Sequence, residues 1–167
     1  MAAWRQTTTA DIPGLMLVAD AVHPALPESD HVFTERVNLF PDGSLVLVNN
    51  DKEVCGYAIS HPIRHRQPPA LDSLLEKIAA DADQYYIHDL AILPEFRGSG
   101  YARQGIENLL AVALRNGYST TCLVSVYGTA EFWGRFGFNA EEVDEVLEEK
   151  LREYGDDAVY LERENGW

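Results

Sequence analysis

The apolar positions of this chain follow two periods. Some segments repeat them every three or four residues, which is typical of helices with one buried face, and others are short runs rich in Val, Ile, Leu and Tyr, which are typical of strands. The helical period predicts a helix that begins near Asp11 and further helices over residues 30–39, 102–116, 129–136 and 141–153. Strands are predicted over residues 4–8, 44–49, 54–60, 85–93, 120–127 and 157–163, with an extended segment from Phe138.

The pattern weakens between residues 61 and 84. Pro68 and Pro69 are followed by Leu71, Leu74, Leu75 and Ile78 at helical spacing, which predicts an insertion that carries a short amphipathic helix. Loops of this kind often cover an active site. No domain boundary is visible, so residues 1–167 are interpreted as one domain.

A glycine-rich turn joins the strand of residues 85–93 to the helix that follows. The strand breaks at Pro94, and Gly98 and Gly100 precede the first helical residue. Unpaired backbone amides and the positive end of the helix dipole favour a phosphate at such a position. A plain tight turn is the alternative, and the spacing matches neither of the two common nucleotide-binding glycine motifs.

The residues around this turn carry a family resemblance. Leu90-Ala-Ile-Leu-Pro94 precedes Arg97-x-x-Gly100-x-Ala102, and Ala130-Glu-Phe-Trp-Gly-Arg-Phe-Gly-Phe138 follows after a helix and a strand. This arrangement resembles the GNAT superfamily of acetyl-CoA-dependent N-acetyltransferases over most of the chain. The resemblance implies an α/β fold with a mixed, mostly antiparallel central sheet of six to seven strands, splayed at the cofactor site and with helices on both faces.

The same resemblance implies the cofactor-binding residues. Acetyl-CoA is the expected cosubstrate, with its pyrophosphate held by backbone amides of the turn and its pantetheine arm beside the central strand. The amide of Ile92 is the candidate donor to the developing oxyanion. The expected cofactor-binding residues are Leu90, Ala91, Ile92, Arg97, Gly98, Ser99, Gly100, Tyr101, Ala102 and Trp133.

His88 is the candidate general base. An alkylamine with a pKa near about 10 must lose a proton before it attacks, and a group that titrates near neutral pH suits that task. Strand alternation places Tyr86, His88, Leu90 and Ile92 on one face and Asp89 on the other. A hydrogen-bonded core histidine is the alternative. Residues 86–92 resemble the arylalkylamine N-acetyltransferases, which carry a second histidine at the position of Tyr86, so Tyr86 becomes a candidate hydrogen-bonding partner.

The chain departs from the family at Trp133, where a tyrosine usually protonates the coenzyme A thiolate. An indole N–H has no accessible acidity. Tyr127, another tyrosine or water is expected to replace that tyrosine, or the thiolate leaves unprotonated. Trp133 itself is expected either to pack on the pantetheine arm or to be a core aromatic residue.

Composition restricts the partners. The formal net charge of −14 disfavours nucleic acid and anionic membranes and attracts cationic small molecules, although acidic surfaces also serve solubility alone. Cys55 and Cys122 lack metal or redox spacing, and no metal is expected. The predicted protein is a cytoplasmic monomer or homodimer that acetylates a small primary amine. A protein N-terminus or lysine as the acceptor, and a non-catalytic coenzyme A-binding module, are the alternatives.

Overall fold

The computed structural model describes residues 1–166, which form a seven-stranded sheet with helices on both faces. The strand order is β1-β2-β3-β4-β5-β7-β6, and every neighbouring pair is antiparallel except β4 and β5. This arrangement confirms the predicted fold class. The strands are β1 (Ala2–Gln6), β2 (Ser44–Asn49), β3 (Val54–Ile63), β4 (Gln84–Ile92), β5 (Thr120–Ser125), β6 (Asn139–Ala140) and β7 (Val159–Glu164), and the helices are α1 (Ile12–Val22), α2 (Asp30–Leu39), α3 (Tyr101–Arg115), α4 (Ala130–Gly134) and α5 (Glu145–Glu153).

Each face of the sheet has its own hydrophobic core. Leu15 of α1 and Phe33 of α2 pack against Tyr57 and Ala91 on one face. On the other face, α3 and α4 pack against a second cluster that includes Ile87 and Leu90. Complete burial of one such large apolar side chain contributes about 1.5–3 kcal/mol, so these contacts decide which side chains of β4 face each layer.

The sheet opens between β4 and β5. These two strands pair only where Tyr85–Ile87 meets Thr121–Leu123, so the rest of β4 as far as Ile92 has no partner on that edge. We call this opening the splay. It leaves backbone donors and acceptors of the outer half of β4 free to bind a ligand.

A bulge in β4 changes which side chains share a face. Ile59 of β3 pairs with Asp89 and Ser60 pairs with Ile87, so His88 is an extra residue in the ladder. The alternation is reset there, and Asp89 points to the same face as His88, while Leu90 joins Ile87 on the opposite face. The prediction that His88 shares a face with Leu90 and Ile92, opposite Asp89, is therefore wrong.

The insertion segment, residues 64–83, contains no helix, which corrects the predicted amphipathic helix. Asp72 and Glu76 have φ values of 55° and 68°, in the left-handed region that an α-helix does not use. The backbone of the segment instead bonds to side chains of other elements. Glu35 of α2 accepts hydrogen bonds from the amides of Leu75 and Glu76, at 2.6 and 2.9 Å.

Several boundaries differ slightly from the predictions. β1 begins at Ala2 and ends before the predicted end, β3 continues to Ile63, and α5 begins at Glu145 rather than near residue 141. The last difference has a local cause, because the Asp144 carboxylate accepts a hydrogen bond from the Leu147 amide at 2.8 Å and caps the helix there. Among residues 1–166, no helix is long and apolar enough to span a bilayer.

Candidate active site

A cavity of about 820 Å³ runs along the splay. Gly98 and Gly100 of the glycine turn line one end, and His23, Glu28 and His88 line the other. The outer half of β4 lies between the two ends, so one continuous space joins a backbone-rich end to an end with ionisable side chains. Cavities of this size accommodate a cofactor or small ligand.

The glycine turn presents a set of unpaired amides. Gly98 and Gly100 have φ values of 83° and 85°, which only glycine adopts without strain. Within the described chain, the amides of residues 98–102 donate to no other protein atom, and we call these five amides the amide cradle. They lie immediately before and within the first turn of α3, where the helix dipole adds a partial positive charge.

Arg97 differs from its predicted role in one respect. Its amide donates to the Pro94 carbonyl at 3.2 Å, so this amide is not part of the cradle. Its side-chain Nε donates to the Ile92 carbonyl at 2.9 Å, which places the guanidinium beside the end of β4. Arg97 therefore supplies local positive charge at the cavity rather than a backbone donor.

The backbone of β4 alternates between β3 and the splay. Because the Leu93 amide donates to the Cys55 carbonyl of β3, at 2.9 Å, the amides of Leu90 and Ile92 point away from β3 and towards the splay. Ala91 pairs with Tyr57 of β3. Two of the three predicted β4 residues thus direct backbone donors into the cavity, and Ile92 is one of them.

His88 forms a buried hydrogen bond with the carboxylate of Glu28. Its Nε2 lies 2.7 Å from Glu28 Oε1, and the two side chains are 1% and 7% exposed. Burial opposes ionisation of Glu28, but the charge and hydrogen bond of His88 outweigh burial and lower the pKa of Glu28. Within residues 1–166, His88 Nδ1 is buried and has no hydrogen-bond partner.

Tyr86 lies outside the cavity. Its side chain is fully buried beside Leu147 and Leu151, and its ring meets that of His88 edge-on with centroids 6.1 Å apart. No hydrogen bond joins the two residues in the described chain. Glu28, which the sequence did not single out, is the side chain that bonds to His88 instead.

A second histidine and carboxylate lie beside the first pair. His23 Nε2 lies 2.9 Å from Asp89 Oδ1, and the Tyr57 hydroxyl donates to Asp89 Oδ2. On its other side, His23 Nδ1 lies 3.4 Å from the Tyr127 hydroxyl. The sequence analysis did not identify this pair, because a pairing between residues 66 positions apart has no local sequence signal.

Trp133 occupies the position where the resembled family has a tyrosine. The side chain is 8% exposed, packs edge-on against Phe132 and Phe138, and lines the cavity with one edge. Trp133 is therefore both a core residue and part of the cavity wall. Tyr127 is 46% exposed and lines the same cavity.

Comparison with known proteins agrees with this geometry. The sequence profile of the Acetyltransferase (GNAT) family matches residues 14–138 of this chain. The chain therefore belongs to the GNAT family of acetyltransferases and is an acyltransferase. No curated protein has a significant sequence match to it.

Solved structures of the same fold cover almost the whole chain. The loading GNATL domain of CurA from Lyngbya majuscula is 14% identical, with a TM-score of 0.81 and coverage of 99% of this chain and 98% of that chain. The ribosomal-protein-S18-alanine N-acetyltransferase from Escherichia coli is 17% identical, with a TM-score of 0.67 and coverage of 100% and 96%. A chain of the NatC complex bound to Gag peptide and CoA is 17% identical, with a TM-score of 0.74 and coverage of 98% of both chains.

Proposed function

We propose that this protein transfers the acetyl group of acetyl-CoA directly to a small primary amine. The observation that carries the proposal is the single cavity that joins the amide cradle to the buried pair of His88 and Glu28. A cosubstrate that spans the splay would have its diphosphate at one end and its thioester beside the second end. An acceptor amine would then meet the thioester where the ionisable side chains lie.

The cradle supports the cosubstrate end. Five unpaired amides at a helix N-terminus, with the Arg97 guanidinium nearby, favour a doubly charged diphosphate even though the net charge of the chain is −14. The amides of Leu90 and Ile92 extend this row of donors along β4. Ile92 is the proposed donor to the oxyanion that forms at the thioester carbon.

The ionisable end supports an amine acceptor. Glu28 and Asp89 attract an alkylammonium ion, which must lose a proton before it can attack. His88 is the proposed acceptor of that proton, directly or through water. Its Nε2 is engaged by Glu28, which leaves the unpartnered Nδ1 to accept the proton while Glu28 stabilises the imidazolium.

A covalent acetyl-enzyme is not part of the proposal. Burial raises the pKa of the Cys55 thiol and raises that of Cys122 to about 12, and neither residue lines the cavity. A thiol in such an environment is a poor nucleophile at neutral pH. Direct attack by the amine is the simpler path.

The insertion segment favours a small acceptor over a protein. Its Asp72 amide donates to Glu28 at 2.9 Å and its Ser73 carbonyl accepts from Arg36 of α2 at 2.8 Å. The carbonyls of Pro68 and Pro69 accept hydrogen bonds from Lys150 of α5 and from Tyr154, the residue that follows this helix. These bonds fasten the insertion segment on two sides, and its own residue Leu71 lines the cavity. A segment held over the acceptor end in this way leaves room for a small amine rather than for a protein chain.

The walls of the acceptor end are partly apolar, with Leu26 and Leu71 beside the two carboxylates. This mixture supports an amine that carries an apolar group, such as an arylalkylamine. A protein acceptor is the second candidate, because one protein of similar fold acts on an alanine of a ribosomal protein and another is bound to a peptide.

The test begins with calorimetric binding of CoA and a panel of arylalkylamines, polyamines and peptides, followed by thiol release. We expect turnover with a small amine. His88→Gln should lower kcat at pH 7 by about 100-fold and recover partly at higher pH, because the free-amine fraction rises about tenfold per pH unit below the amine pKa. The matched control is His31→Gln, since the His31 side chain is 87% exposed on α2.

Each alternative has its own signature. Acetylation of peptides but not of small amines would establish the protein acceptor, and tight CoA binding without any turnover would establish a binding module. An equal loss of rate at all pH values in His88→Gln would remove His88 as the base.

A further inference from the structure

In the proposed reaction the departing thiolate of coenzyme A has no obvious proton donor, because Trp133 occupies the position of the usual tyrosine. We propose that Tyr127 protonates this thiolate and that His23, held by Asp89, returns a proton to Tyr127. This inference rests on the proposed acetyl transfer. Tyr127 is then a catalytic residue, and His23 and Asp89 are positioning residues that act through it.

The location of Tyr127 suits a donor to the thiolate. Tyr127 follows the end of β5, on the side of the splay opposite β4, and lines the cavity together with Trp133. Its φ of 56° is unusual for a residue with a bulky side chain. Strained backbone positions of this kind concentrate at functional sites, and here the conformation directs a phenol towards His23.

Hydrogen bonds fix the orientation of His23. The ring stacks on Tyr127 with centroids 5.6 Å apart and planes inclined by 14°. Since Nε2 faces the Asp89 carboxylate at 2.9 Å, we assign a proton to this nitrogen; Nδ1 faces the Tyr127 hydroxyl at 3.4 Å. Asp89 is held in turn by the Tyr57 hydroxyl. The result is an uninterrupted chain from Tyr57 through Asp89 and His23 to Tyr127.

The surrounding charges allow His23 to hold an additional proton. Burial alone would lower the pKa of His23, but the hydrogen bond and charge of Asp89, with a smaller contribution from Glu28, outweigh both burial and the opposing charge of Arg97 and raise that pKa. Burial and the charge of Asp89 raise the pKa of Tyr127, so the phenol stays protonated until a stronger base than water is formed beside it.

Acetyl transfer and the proton transfers that accompany it conserve atoms and charge. The amine nitrogen forms a bond to the acetyl carbon, the carbon–sulfur bond breaks, and the sulfur takes the electron pair. The thiolate accepts the phenol proton of Tyr127, and the resulting phenolate accepts the Nδ1 proton of the His23 imidazolium. Neutral His23 regains a proton from solvent, and the excess proton of the amine nitrogen leaves through His88. The products are the amide and the free thiol of coenzyme A.

Unassisted departure of the thiolate is the competing possibility, since a thiol pKa near about 8.5 makes the thiolate a moderate leaving group in water. The cavity differs from water because Leu90, Phe132 and Trp133 line it, so a thiolate formed there loses part of its hydration. An anion in such surroundings is disfavoured, which gives a proton donor more effect than it would have in solution.

The experiment compares Tyr127→Phe, His23→Gln and the control His31→Gln in the full chain, with acetyl-CoA and the best amine of the panel. We expect kcat to fall by about 100-fold in Tyr127→Phe and by about tenfold in His23→Gln, with unchanged CoA affinity by calorimetry. Replacement of Tyr127 by 3,5-difluorotyrosine, a more acidic phenol, should move the alkaline limb of the kcat profile to lower pH. A structural role for Tyr127 would not produce that movement.

Full activity in both variants, or an alkaline limb that does not move with the fluorinated residue, would overturn the proton-delivery proposal while the acetyl transfer itself stands. A wild-type protein that binds CoA but acetylates no acceptor would overturn both proposals together. These two failures are therefore distinguishable from the wild-type measurement alone.

Discussion

Substitution of Glu35 by alanine tests whether the insertion segment closes the acceptor end. The Glu35 carboxylate accepts the amides of Leu75 and Glu76 at 2.6 and 2.9 Å and lies 3.1 Å from Arg36 Nη1. A hydrogen bond to a charged group contributes about 1.5–3 kcal/mol, and the released amides would partly recover this by bonding to water. We estimate that attachment of the segment weakens by about 2 kcal/mol, or about 30-fold in its opening equilibrium.

Hydrogen exchange followed by mass spectrometry measures this opening directly. In Glu35→Ala, amides of residues 64–83 should exchange about 30-fold faster, and the KM for the amine should rise severalfold while CoA affinity is unchanged. Glu149→Ala is the matched control, because Glu149 is an exposed helical glutamate of α5. The substitution also removes the Glu35 carboxylate from the buried Arg36 guanidinium. If this loss destabilised the whole fold, exchange would accelerate throughout the chain. Unchanged exchange in residues 64–83 would refute the proposed attachment.

Two further predictions concern the ends of helices. Gly100→Ala should lower the free energy of unfolding by about 1 kcal/mol, because an alanine is strained at φ 85°. The same substitution should weaken CoA binding, which calorimetry measures. Gly134→Ala in α4 is the control and should leave the free energy of unfolding unchanged or raise it. Equal CoA affinity in both glycine variants would argue against the cradle. Asp11→Ala should cost about 1 kcal/mol at pH 7, because Asp11 accepts from the Thr8 amide and pairs with Arg5. The hydrogen bond from Arg5 lowers the pKa of Asp11 to about 2 from an ordinary 3.8, so its stabilisation is present above pH 4 and is lost as pH falls towards 2. Denaturant unfolding of the wild type and of Asp11→Ala at pH 7 and near pH 2 measures this stabilisation. A difference in unfolding free energy that is the same at the two pH values would contradict the predicted pH dependence.

Much of the fold could be predicted from the sequence because its signals are local. The spacing of Ile106 and Leu109 in α3 reflects a face that contacts the sheet, and both residues are fully buried. The glycine turn follows from the conformations that only glycine adopts easily, at Gly98 and Gly100. These features depend on neighbours in sequence, so their residues alone determine them.

The candidate site was only partly predictable. His88 could be found on its strand, but a one-residue bulge at that position reversed the side-chain alternation and brought Asp89 to the same face. The helix predicted in the insertion segment failed for a related reason. Its apolar spacing is helical, yet carboxylates of α2 and of the preceding loop bind its backbone in another conformation.

By itself, the sequence determined the succession of strands and helices outside the insertion segment, the glycine turn and the identity of one histidine on the central strand. Only the tertiary structure decided which side chains meet, namely Glu28 with His88 and Asp89 with His23 and, through His23, Tyr127. The physical reason is that these contacts join residues tens of positions apart. Their partners are selected by strand register and by packing of the whole sheet, and no local preference records that selection.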